Sequence, residues 1–182
     1  SDLNESYGIK VDDLLIYTYP DKEKIEKANL QGLFLGHFFP WNGNENAEIA
    51  KKNGFMFYEK EVEGASNKYE NLDNFQAGIH DYFKYLKYGF GRTTDIMCNL
   101  YRRKLISKEE AIEKIKKNDG NFPMTYLGKN IKKILEEIDV SFEEFIETCD
   151  KFTNKRIFKC DNNGKPIRDK DFNLKLNVNP FN

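Results

Sequence analysis

Two polar-studded segments hold the residue types that could do chemistry. One is Lys87-Tyr88-Gly89-Phe90-Gly91-Arg92-Thr93-Thr94-Asp95. Its two glycines let the backbone bend sharply and approach a ligand. Arg92, Thr93 and Thr94 then open a helix, where exposed N–H groups attract anions. The chain has 24 Lys and only five Arg, and Arg is the better fork for a carboxylate or phosphate. Asp95 stands close enough to orient Arg92 or to cap the turn. A helix–helix corner with Thr94 as its cap is the competing reading.

The other segment is Gly36-His37-Phe38-Phe39-Pro40-Trp41-Asn42-Gly43-Asn44-Glu45-Asn46. It reads as a buried strand that ends in a polar loop and opens a helix, the place where α/β sheets bind ligands. An ordinary strand–turn–helix with Trp41 as a core plug is the simpler reading. Tyr88, Arg92, Thr93, Thr94 and Asp95, with His37, Trp41 and Asn42, are the candidate substrate-binding residues. Gly89 and Gly91 are the candidate cofactor contacts. No catalytic residue and no metal ligand stands out.

Other features carry less. His80-Asp81 reads as a proton relay or, more simply, as a surface pair. Arg102-Arg103-Lys104 reads as a solvated helix end that complements the dipole. Asp119-Gly120 reads as a turn. There is no Ser-Gly-Gly-x-Asp-Ser loop, Walker loop, H-E-x-x-H or G-x-S-x-G motif. A net charge of −1 provides no field for nucleic acid. The apolar run Leu33–Phe39 is too short to span a bilayer, and Ser1–Glu5 is no signal peptide. Three widely spaced cysteines, Cys98, Cys149 and Cys160, indicate reduced cytoplasmic thiols rather than a disulfide framework.

The elements that must position these residues follow from pattern. Residues 1–20 read as irregular or extended, Asp21–Asn29 as a short helix, Gln31–Phe39 as a buried strand and Phe55–Lys60 as a second strand. A helix capped by Asn44 covers Glu45–Asn53. Glu61–Asn71 is a polar loop. Asn74–Lys87 is a helix with Phe75, Ile79, Tyr82, Phe83 and Leu86 on one face. The next helix, Thr94–Lys104, turns Ile96, Met97, Leu100 and Tyr101 inward. Ser107-x-x-Glu110 and Ser141-x-x-Glu144 are capping boxes, and a further helix spans Lys129–Ile138. An extended tail follows from Arg156, with a hairpin tip at Asn163-Gly164. The fold class is therefore mainly α with a small β component, a helical bundle following the edge of a parallel sheet. The expected division is 1–60, 61–155 and 156–182.

Taken in order, several stretches resemble the C-terminal half of the N-acetyl sugar amidotransferases. They are Tyr19-Pro20, Leu35–Asn42, Lys87–Asp95, Ser107–Ala111, Asp119-Gly120-Asn121-Phe122-Pro123 and Phe142–Phe145. The resemblance covers about residues 11–165. It implies a PP-loop ATP pyrophosphatase-like (HUP-like) α/β fold followed by a helical region. It implies bacterial surface-glycan or lipopolysaccharide synthesis of the pseudaminic or legionaminic acid type. A sugar N-acetyl group would become acetamidino, with ATP and Mg as cofactors and ammonia from a glutaminase subunit. The substrate would be a sugar or nucleotide-sugar. The family's ATP loop and cysteine cluster are absent here, so the chain reads as one part of that machinery, without turnover of its own. Asn42 stands where the family tends to carry Asp, which weakens any role resting on that charge. The competing function is a non-catalytic helical docking module, Asn74–Phe152, for the glutaminase. Nucleic-acid binding and membrane insertion are not expected.

Overall fold

A computed structural model describes residues 7–178, 180 and 181. The chain forms two compact units, 1–44 and 45–182.

In the first unit, the described residues begin with a 3-10 helix over Val11–Tyr17, where an irregular stretch was expected. Then come α1 (Lys22–Lys27) and a single helical turn, α2 (Leu35–Phe38). The buried strand expected over Gln31–Phe39 is not formed. Phe39 N–H instead donates to the Leu35 carbonyl at 3.0 Å. The physical reason is pairing. A strand needs a neighbour to take its ladder bonds, and without one the backbone closes on itself. Leu33, Phe34, Leu35, Phe38, Phe39 and Trp41 are all exposed.

The unit boundary falls inside α3 (Gly43–Lys52), which already contains Asn44, so Asn44 lies in the first turn rather than capping it. Phe55–Lys60 is not a strand. Tyr58 N–H reaches the Lys68 carbonyl at 2.8 Å and closes a loop. The polar stretch 61–76 is anchored from within, because Val62 and Ala65 are buried against Tyr126 and Ile134.

The main core lies between α4 (Ala77–Tyr88) and α8 (Phe142–Phe152). Tyr82, Tyr85 and Leu86 of α4 meet Phe145 and Cys149 of α8, as the helical spacing requires. Phe122 is the hub, with ring centroids 5.3 Å from Tyr82, 6.0 Å from Phe145 and 5.3 Å from Phe172. Gly89 ends α4 in the left-handed region. Asn154 N–H and Nδ2 donate to the Leu86 and Lys87 carbonyls, which the helix end leaves open.

α5 (Arg92–Arg102) packs against α6 (Lys108–Asn118). α5 begins two residues earlier than expected, so Thr94 sits inside it and Gly91 is the N-cap. Met97 points inward, but Tyr101 is exposed. Both serine capping boxes are formed. β1 (Thr125–Tyr126) and β2 (Lys129–Asn130) make an antiparallel hairpin, with Leu127 and Gly128 both at positive φ. Asn130 then caps the short α7 (Ile131–Glu136), which replaces the longer helix expected there.

The tail is not a loose extension. Bridges Phe158↔Leu176, Cys160↔Pro166 and Arg168↔Leu174 fold it back on itself, with the turn at Asn163-Gly164 as expected. Arg168 donates to the Tyr82 hydroxyl at 2.9 Å and to Asp150 at 2.7 Å, and Phe158 is buried in the main core.

Two stability outcomes follow. Ser107→Ala and Ser141→Ala should each cost about 1 kcal/mol in denaturant unfolding, the usual worth of a serine cap. Burial pushes the Cys149 thiol from 9.0 up to about 12. A folded-state pKa raised above the unfolded value means stability that is complete below about pH 9 and is lost as pH rises towards 12. Buried Tyr126, pushed up to about 12, acts the same way from pH 10. Urea titrations at pH 8, 9.5 and 10.5 should show a falling midpoint. Cys149→Ala should lower the pH 8 value but flatten the decline.

Candidate functional site

Arg92 is the first residue of α5. Its Nε and Nη2 donate to the two oxygens of Asp81 on α4, at 2.6 and 2.7 Å. Its Nη1 lies 3.6 Å from Glu70. Asn71, with its amide oxygen turned inward, accepts from the same guanidinium at 2.9 and 3.0 Å. Hydrogen bonding to Asp81 is the main reason the Arg92 pKa stands above its ordinary value. The fork that the sequence offers to an outside anion is thus filled by the protein's own carboxylate.

Asp95 does not orient Arg92. It pairs instead with Lys84. His80 is an exposed neighbour, 3.3 Å from Asp81, and the weight of that pair lies on Asp81.

The α5 N-terminus is also supplied internally. Asp119 follows α6, and its Oδ2 accepts from Gly91 N–H at 2.8 Å and from the Thr94 hydroxyl at 2.5 Å. The helix dipole favours a carboxylate there. Gly91 is required for close approach rather than for φ, because a Cβ on it would meet Asp119 Oδ1 at 2.7 Å. Thr93 is fully buried. Its hydroxyl donates to the Gly64 carbonyl at 2.8 Å and lies 3.1 Å from Ser66, which accepts from Asn118 at 2.7 Å. Thr93 therefore fixes the loop to α5.

These contacts surround a cleft of about 300 Å3 bounded by Asp81, Tyr82, Tyr85, Gly91, Arg92, Asp119, Gly120, Phe122 and Pro123, with Glu61 and Glu63 also in its lining. That volume is at the low end for a small-molecule site. Its charge is dominated by carboxylates. Hydrogen bonding from Lys114 at 2.7 Å holds the Glu61 carboxyl below its usual range. Glu63 accepts from Leu127 N–H at 3.0 Å. The arrangement is rich in acceptors, so it suits neutral or cationic donor-bearing ligands better than phosphate.

Of the expected site residues, the structure gathers Gly91, Arg92 and Thr94 around Asp81 and Asp119. Gly89 is a helix cap, and a Cβ on it would meet Ile157 at 2.9 Å. Tyr88 is exposed, with its ring centroid 6.2 Å from Phe90. His37, Trp41 and Asn42 belong to the first unit, where His37 and Trp41 are exposed. Asp119 and Tyr85 are the residues that sequence reasoning passed over. Asp119 read as a turn residue, and Tyr85 was not among the residues assigned to the apolar face of its helix. Only the Asp-Gly-x-Phe-Pro turn marked the neighbourhood.

The Gly–Arg corner and the Asp-Gly-x-Phe-Pro turn face each other across this cleft. Residues 63–172, well over half of the chain, match the C-terminal domain of WbpG-like LPS biosynthesis proteins, and the chain belongs to this family. The match contains every residue of the Asp81–Arg92–Asp119 constellation and leaves out His37, Trp41 and Asn42. No curated protein matches the chain. Among the described residues, no helix is long and apolar enough to cross a membrane.

The fork should behave as a coupled unit. Asp81→Asn and Arg92→Leu should each destabilise the domain by about 2–3 kcal/mol, somewhat below the range for a fully buried pair because Arg92 keeps some solvent access. The double variant should cost much less than their sum in a double-mutant cycle. Gly78→Ala is a separate test. Its Cβ would lie 2.6 Å from Tyr126 Cδ2, and Tyr126 cannot retreat easily because its hydroxyl donates to the Asn71 carbonyl. Overpacking at about 1–3 kcal/mol should outweigh a helix gain below about 1 kcal/mol, giving a lower unfolding midpoint.

Proposed function

We propose that this chain is part of an ATP-dependent amidotransferase of surface-glycan synthesis, converting a sugar N-acetyl group to acetamidino. In this reading the cleft beside Arg92 is the sugar side of the site. One observation supports it most: within a domain of LPS biosynthesis proteins, the cleft presents fixed acceptors to hydroxyl and N–H donors. Asp81, Asp119, Glu61 and Glu63 can take hydrogen bonds from a neutral sugar without needing a counter-charge.

The same residues do not fit ATP. A triphosphate would face these carboxylates, while the Arg92 fork is engaged with Asp81. Among the described residues, no group of three or more His, Cys, Asp or Glu is arranged to hold a metal ion. We therefore assign ATP and Mg to a PP-loop domain that works with this one, and ammonia to a glutaminase subunit. A nucleotide carried by the sugar would lie outside the cleft. Reaction in the cytoplasm is part of the same proposal.

The test uses the enzyme that carries this domain. Asp119→Asn should lower the amidination rate at saturating ATP at least tenfold while the fold persists by circular dichroism. Arg92→Ala should do the same at a temperature where the variant stays folded. A rate within about threefold for both, which is under roughly 1 kcal/mol of transition-state stabilisation, places the sugar elsewhere. ATP-dependent turnover by the 182-residue chain alone would refute the division of labour.

A further inference from the structure

Seven consecutive residues, 119–125, line the cleft. A wall made of irregular chain needs partners for its backbone. Its start is fixed where Asp119 N–H donates to the Ile115 carbonyl of α6 at 2.9 Å. Its end is fixed where Ile131 N–H of α7 donates to the Met124 carbonyl at 2.9 Å. Between them the chain turns through Gly120 in the left-handed region. Phe122 is the middle of the wall and is buried. Its N–H donates at 2.7 Å to the side-chain oxygen of Asn173, 51 residues away.

Asn173 does not line the cleft. It belongs to a turn of the tail that is closed on itself. Asp169 Oδ1 accepts from the Asp171 and Asn173 N–H groups, both at 2.9 Å. Asn173 Nδ2 donates to Asp169 Oδ2 at 3.3 Å. These bonds, the Asn173 N–H foremost, hold the Asp169 carboxyl below its usual range. A primary amide suits position 173 because it accepts on one side and donates on the other. The same turn reaches a second cleft residue. One Arg168 nitrogen donates both to the Tyr82 hydroxyl and to the Phe172 carbonyl, at 2.9 and 3.1 Å. The Phe172 ring already packs on Phe122. The Asn173 bond adds direction to that packing, because it fixes the backbone of the wall and not only a ring.

We propose that the tail turn 168–173 braces the cleft, and that Asn173 is a positioning residue for the cleft ligand, acting through the Phe122 backbone. The identity of the ligand rests on the sugar-side reading above; the brace does not. Residues of the tail thereby belong to the working site without touching what it binds.

The experiment has two readouts. The first is amide hydrogen exchange of the whole 15N-labelled chain, followed by NMR. Asn173→Ala leaves the Phe122 N–H without its acceptor, so that amide should exchange about tenfold faster or more relative to the Leu86 amide of α4. Asp169→Ala loosens the turn but keeps the acceptor, so it should act in the same direction and less. It also serves if Asn173→Ala does not fold. The double variant Asp169→Asn with Asn173→Asp exchanges the two groups. The new carboxylate accepts from Phe122 and the new amide donates to it, so exchange should return towards the wild-type rate. The second readout is the amidination kinetics of the enzyme that carries this domain. Asn173→Ala should raise KM for the sugar about fivefold or more and leave KM for ATP within about twofold, the mark of lost sugar binding. The exchanged pair should recover the sugar KM. Unchanged Phe122 exchange, no recovery in the exchanged pair, or an unaltered sugar KM would each overturn the positioning role. If the wild-type enzyme amidinates no N-acetyl sugar, the proposed reaction falls, and the exchange rates with their recovery still decide the brace.

Discussion

The paired hydrogen bonds between Arg92 and Asp81 set the rest of the domain. They join the start of α5 to the middle of α4, and Glu70 and Asn71 bring the preceding loop to the same guanidinium. Asp81 is largely withdrawn from water. A carboxylate in that position is tolerated because a planar fork matches both its oxygens. The pair aligns α5 so that the N–H of its N-cap, Gly91, and the Thr94 hydroxyl face Asp119. The cleft is the space this alignment leaves open.

Electrostatics then decides what the cleft can hold. A helix N-terminus with a nearby arginine ordinarily suggests phosphate. Here both features are neutralised internally, Arg92 by Asp81 and the helix end by Asp119. What remains towards the cavity is acceptor-rich. The cleft therefore offers hydrogen-bond acceptors rather than a free cation. The polar network of Thr93, Ser66 and Asn118 belongs to the scaffold, since it holds the 61–76 loop on α5.

The helical half of the fold was readable because its signals are local. Apolar spacing along Ile79, Tyr82, Phe83 and Leu86 marks one face of α4, and Ser107 and Ser141 mark the starts of α6 and α8 through boxes closed within four residues. The errors lie where a non-local partner decides. The Leu- and Phe-rich stretch 31–39 has strand composition, but β pairing needs a neighbour, and the backbone took an internal helical bond instead. The 125–130 hairpin turns on Leu127-Gly128, which lacks the usual Asn-Gly signature. The tail joins the core through Arg168, whose partners Tyr82 and Asp150 are distant in sequence.

The sequence alone determined the mainly helical character, the capped helices and the Gly–Arg corner as a place of interest, because each depends on residues a few positions apart. It also contained the ordered motifs by which the family resemblance was drawn. Tertiary structure decided what Arg92 does, because Asp81 and Asp95 are both near it in sequence terms and only the packing of α4 on α5 selects Asp81. It likewise turned Asp119 from a turn residue into the carboxylate at the head of α5. Both outcomes depend on where three helices meet, a relation that no local spacing encodes.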